Sequence, residues 1–236
     1  DHMVYAAWMR QVMDGAFLFD NRFTPDPQPG LTFHLYFLVL GFAAKALGLV
    51  WTPAIARLIF SFVFLVLLGK FLDRLDWSEN WKRVGQAFVT FSMGLGFLVW
   101  HDFKGGITKP VPEVLSSFLM GRLPTDVYQP EGFVFSSMLT NGLFMVSLSL
   151  ILWLFLSVLD ARSAAKPVIG GAVAIGLLMN IHSYDVLLCA FVLVGLLAAT
   201  VYQKALSKEW IIRAVLIVLG VIPAALWFMY VLKNDP

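Results

Sequence analysis

The sequence predicts an all-α fold: a polytopic transmembrane helical bundle with an external first loop that contains juxtamembrane amphipathic helices. Three observations predict it. The 236 residues are 59% hydrophobic and 14% charged, with a mean hydropathy of +0.80, whereas a soluble domain is nearer about 45–50% apolar and 25% charged. The apolar residues gather in long runs, and about 20 helical residues cross a hydrocarbon layer of about 30 Å. Charged residues are concentrated in the connections between these runs.

The chain divides into an external loop of catalytic type, 1–30, and a transmembrane core, 31–236. Asp1 caps a short helix that runs to Met13 or Asp14 and stops at Gly15. Tyr5, Trp8, Met9 and Val12 recur on one face, which makes an amphipathic helix suited to the membrane surface. Pro25, Pro27, Pro29 and Gly30 then make a rigid extended connector. Segment 31–49 is apolar but carries His34 and Lys45 and is interrupted at Gly41 and Gly48. It reads as lying in, or dipping into, the outer interface; the other reading is a plain transmembrane helix with Lys45 snorkelling. Segments 53–72, 85–100, 133–159, 167–181, 186–202 and 211–232 are each read as one crossing. The start without Met and the stop at Pro236 just beyond an apolar run read as a piece of a longer protein.

Charge sets orientation and excludes several classes. Lys70, Arg74, Lys82 and Arg83, then Arg162 and Lys166, then Lys204, Lys208 and Arg213 fall on one side if each run crosses once. By the positive-inside rule that side is cytoplasmic. The first loop, 101–132 and the 180–185 turn then face outward. The net charge of +2 comes with no Lys/Arg-rich run, which argues against nucleic acid. A single cysteine, Cys189, excludes an internal disulfide and a Cys-based zinc site. No phosphate-cradling glycine motif, zinc-type histidine spacing or Gly-x-Ser-x-Gly elbow is present. His34 and Cys189 read as packing residues.

The outward loops hold the candidate site. Asp1 and His2 stand at the head of the first loop, where a carboxylate pressed against the bilayer invites chemistry on a polar headgroup; Asp1 also reads as a plain helix N-cap. His101 and Asp102 follow the run 85–100, and a helix end in headgroup water explains them equally. Glu131, after Pro130, suits a helix first turn or an active-site acid. Arg122, with Lys104 and Lys109, is a candidate for holding a lipid phosphate, or an ordinary solvated loop charge. The tight connection Asn180-Ile181-His182-Ser183-Tyr184-Asp185 carries more polar groups than a turn requires, and each must find a partner at the membrane edge.

The pattern Asp1-His2-x-x-Tyr5, Arg10-Gln11-x-x-Asp14-Gly15, a proline-rich connector and an apolar segment with Gly41 and Gly48-Leu49 resembles the GT-C superfamily of integral-membrane glycosyltransferases. The resemblance covers Asp1 to about Asp185. It implies transfer of a hexose or pentose, by an inverting mechanism, from a polyprenyl-phosphate donor to an acceptor glycan, lipid or protein on the external face of the membrane, a bacterial cytoplasmic membrane foremost. Asp1, His2 and Asp102 are then the catalytic residues, with Asp1 as general base or metal ligand. His101, Glu131, His182, Tyr184, Asp185 and Arg122 are then substrate-binding. Asp1 and Asp102 are the candidate ligands of Mg²⁺ or Mn²⁺, although the second loop offers a single acid and no Asp-x-Asp. Two other classes stay open: a transporter or flippase for a polar or lipid-linked substrate, and a non-catalytic membrane subunit of envelope assembly. The near absence of charge within the runs speaks against a transporter.

Overall fold

A computed structural model describes residues 2–24, 30–93 and 132–234, and of His2 the backbone alone. Within them the chain is all-α. The helices are α1 (His2–Met13), α2 (Leu35–Leu72), α3 (Glu79–Thr90), α4 (Val134–Thr140), α5 (Gly142–Asp160), α6 (Pro167–Ile181), α7 (Ser183–Tyr202), α8 (Lys208–Leu219) and α9 (Ile222–Asn234). Four helical stretches are long and apolar enough to span a membrane: α2, α5, α7 and the run Lys208–Asn234. Large apolar side chains such as Leu58, Phe62, Phe191 and Leu226 stand exposed on them. Lipid is the solvent that such a surface requires, and the chain is that of an integral membrane protein.

The helix α1 ends as its sequence predicts, with Gly15 at a φ of 104°. Its apolar face packs against protein. Met9 and Val12 are buried, Tyr5 stacks on Phe37 with ring centroids 4.6 Å apart, and a Cβ on Gly41 would collide with the Val12 side chain. The face docks on the start of α2, because the bare backbone at Gly41 lets the two helices approach closely. Gln11 fastens the chain that follows: its Nε2 donates to the Asp20 carbonyl at 3.0 Å, and its Oε1 accepts the Asp20 N–H at 2.9 Å.

The 38 residues of α2 are not a straight rod. Gly48 has φ 80° and ψ 160°, a conformation open only to glycine. A straight helix would separate Tyr36 and Arg57 by roughly 30 Å. Instead the Tyr36 hydroxyl and the Arg57 Cα lie 2.6 and 3.3 Å from one point, the Cβ position of Gly142. The chain therefore folds back at Gly48, and Thr52 steadies the bend by donating to the Gly48 carbonyl at 2.8 Å. The arm before the bend is roughly 20 Å long, too short to cross about 30 Å of hydrocarbon. The bend falls at Gly48, one of the two glycine interruptions read in segment 31–49.

Arg57 lies beside Gly142 at the start of α5, and Arg74 pairs with Asp160 at its end at 2.9 Å. The second arm of α2 and α5 therefore run parallel. The basic connections converge at that far end. Arg162 donates to Thr200 Oγ1 at 2.8 Å, Arg213 to the Ala161 carbonyl at 2.9 Å, and Trp210 Nε1 to the Val158 carbonyl at 3.1 Å. Three connections that share a charge also share an end of the bundle.

Several boundaries differ from the sequence reading. The run 133–159 is two helices, broken at Asn141, whose Oδ1 accepts the Leu143 N–H at 3.0 Å and caps α5. The run 85–100 is not one helix. Helix α3 begins earlier, at Glu79, and closes at Thr90, where Thr90 and Ser92 hydroxyls donate back to the Gln86 and Val89 carbonyls. The run 211–232 is interrupted at Gly220. Segment 167–181 matches α6 as read.

Candidate functional site

The end of the bundle opposite the basic connections gathers polar side chains in an otherwise apolar setting. Its centre is the junction of α6 and α7. The sequence reads 180–185 as a very tight turn; only His182 separates the two helices, and Ser183, Tyr184 and Asp185 already belong to the first turn of α7. That places the Asp185 carboxylate at the positive end of the α7 dipole, where a negative charge is favoured.

His182 Nδ1 lies 2.9 Å from Asp185 Oδ2. Ser147, on the second turn of α5, donates its hydroxyl to the same Asp185 oxygen. Two donors on one carboxylate oxygen fix the carboxylate, and the carboxylate fixes the imidazole. With Nδ1 engaged, Nε2 is the ring nitrogen without a partner among the described residues. The ring is also wedged edge-on against Phe144, at 5.0 Å between centroids. Side-chain exposures of 17% for His182 and 22% for Asp185 leave the pair reachable from outside but shielded from bulk water. Such an oriented imidazole accepts or donates a proton, or contacts an anion. Tyr184 differs from the other two: it stands 81% exposed, edge-on to His182 at 5.7 Å, and is a rim residue rather than a lining one.

Asn180 ties this junction to α2. Its Oδ1 accepts the Leu35 N–H at 2.7 Å, and its Nδ2 donates to the Phe33 carbonyl at 2.9 Å. Between them, His34 packs on Phe37 at 4.6 Å and on Trp8 at 5.7 Å. Burial pulls its imidazole down to about 4, helped by the nearby His182 and opposed by hydrogen bonding to the Ile181 backbone. His34 is thus a neutral packing residue, as expected. Cys189 is likewise buried and packs in the core.

Asp1, His101, Asp102, Arg122 and Glu131 lie outside the described residues, as does the His2 side chain. What is described is the helix that begins at His2: α1 docks on the arm of α2 whose start Asn180 clamps beside His182. Among the described residues no three His, Cys, Asp or Glu side chains come together as a metal site, and the Asp185 oxygen nearest His182 is committed to two donors. The candidate ligands of Mg²⁺ or Mn²⁺, Asp1 and Asp102, are outside that set.

One charged residue escaped the sequence reading. Arg57 sits within an apolar run, and its buried Nε has no hydrogen-bond partner among the described residues. The available signal was the residue itself, since an unpaired cation inside a hydrophobic run is costly and rarely idle.

No family model, curated protein or solved structure matches this chain.

Proposed function

We propose that this protein is a membrane glycosyltransferase core that moves a sugar from a polyprenyl phosphate to an acceptor at the membrane face where α6 meets α7. The observation that carries the reading is the convergence of α1 and the α6–α7 junction. Helix α1, which begins at His2, is fastened through Val12 and Gly41 to α2, and the start of α2 is fastened through Asn180 to the turn holding His182. The helix that follows the acidic motif in sequence and the oriented imidazole are thereby both linked to the start of α2, at the edge of an apolar region, and this linkage supports the reading. Transfer from a lipid phosphate needs a base for the acceptor hydroxyl and a group to stabilise the leaving phosphate. Asp1 is assigned the first task, as general base or metal ligand; His182, oriented by Asp185, contacts the phosphate or sugar. Asp102, His101, Glu131, Arg122 and His2 keep the supporting roles that the resemblance gives them. A bound Mg²⁺ or Mn²⁺ would neutralise charge on the departing phosphate.

The test is transfer of labelled sugar from polyprenyl phosphate by membranes containing the protein, compared with Asp1→Asn and His182→Ala, with and without EDTA. Loss of transfer in both folded variants is expected. Undiminished transfer in both refutes the assignment, and the EDTA arm decides the metal.

A further inference from the structure

A second feature at the same end is independent of the His182 cluster. A cavity of about 290 Å³ opens between α1, the two arms of α2 and the start of α5. Its polar lining is Arg57, Asn141, Thr140, Tyr5 and Tyr36, and no carboxylate lines it among the described residues. Arg57 contributes a guanidinium whose Nε is buried without a partner. The first turn of the 19-residue helix α5 forms part of the wall, adding the positive end of a helix dipole. A cation in apolar surroundings, with no counter-charge among the described residues of the wall, calls for an anion. The fork of a guanidinium matches the oxygens of a phosphate.

We infer that this cavity is a phosphate-binding site, with Arg57 as its anchor. Just beyond Tyr36 and Leu40, which both cavities share, lies a second one of about 310 Å³, lined by Val39, Phe60, Val63, Leu67 and Trp153 among other residues and almost wholly apolar. A phosphate at Arg57 that carries an isoprenoid chain has an apolar channel at hand for the chain. As a phosphate site the inference stands on the cavity alone; as the seat of the donor phosphate it rests on the glycosyl-transfer reading.

The test measures binding of labelled decaprenyl phosphate to the purified protein in phosphatidylcholine nanodiscs. Arg57→Gln is expected to weaken binding about tenfold or more, and Arg57→Lys less. Asn141→Asp provides a variant expected to fold normally, because aspartate caps a helix as well as asparagine does. It places a negative charge on the cavity wall and is also expected to weaken binding. Decaprenol is expected not to displace the label. Displacement by inorganic phosphate marks a site that takes the bare anion, whereas displacement by lipid phosphates alone marks one that needs the chain as well. Parent-like binding by Arg57→Gln or by Asn141→Asp, or displacement by decaprenol, overturns the inference. Binding without sugar transfer removes the glycosyl-transfer reading and leaves the site standing; weakened binding with sugar transfer unaffected by Arg57→Gln leaves the phosphate site standing and removes its role as the seat of the donor phosphate.

Discussion

His182 and Asp185 face each other 2.9 Å apart across the start of α7, and the carboxylate oxygen they share is also held by Ser147 from α5. The pair thus links two neighbouring helices and leaves one imidazole nitrogen without a partner among the described residues. Asp185→Asn keeps the shape but removes the negative charge that strengthens the hold on the ring. It is expected to lower the rate of sugar transfer about 100-fold, with Ser147→Ala costing less because the His182 contact survives. Steady-state transfer by the two variants in membranes checks both.

Asn180 satisfies a backbone donor and a backbone acceptor at the head of α2. Asn180→Ala leaves both without their partner in a part-buried setting and is expected to destabilise the protein by about 1–3 kcal/mol. Thermal unfolding in detergent micelles measures it. Asn180→Asp restores only the acceptor and is expected to fall between the two.

Gly48 carries the reversal of α2. A side chain there is strained whatever space surrounds it, so Gly48→Ala is expected to cost about 1–3 kcal/mol. Gly195 is the contrast: it lies within α7 with nothing within 4 Å of its Cβ position. Alanine there is expected to be neutral or to stabilise by up to about 1 kcal/mol. The same unfolding experiment separates the two.

His34 predicts a pH dependence. Its imidazole is held near 4 in the folded protein against an ordinary value of 6.5, so as pH falls the unfolded chain binds the proton first. The stability associated with the neutral ring is present above about 6.5 and is lost as pH falls toward 4. The loss is of the order of 3 kcal/mol at most. Melting temperatures of the parent are expected to drop across that window more steeply than those of His34→Gln.

Much of this architecture is legible in the sequence, and the exceptions share a cause. Helix α6 appears with the bounds read for it, because Pro167 and the end of a uniform apolar run mark it on both sides. The clustering of the basic connections follows from the alternation of apolar runs and charge. The breaks at Asn141 and Gly220 were missed because each falls inside a continuous apolar run, where hydropathy is blind to capping and turns. The docking of α1 on α2 is not legible in the sequence, because apolar periodicity says which side is buried but not against what. Of the site, His182 and Asp185 were visible as polar residues crowded between apolar runs. Ser147 and Arg57 were not, since their roles depend on which helices become neighbours.

Sugar transfer from polyprenyl phosphate by membranes containing His182→Ala, set against the parent and a melting curve for each, tests the central claim most directly. The account predicts that His182→Ala folds like the parent, because the ring is part-exposed and Asp185 keeps its bond from Ser147, and that transfer falls by about 100-fold. A variant that folds normally and transfers sugar at the parental rate would contradict it.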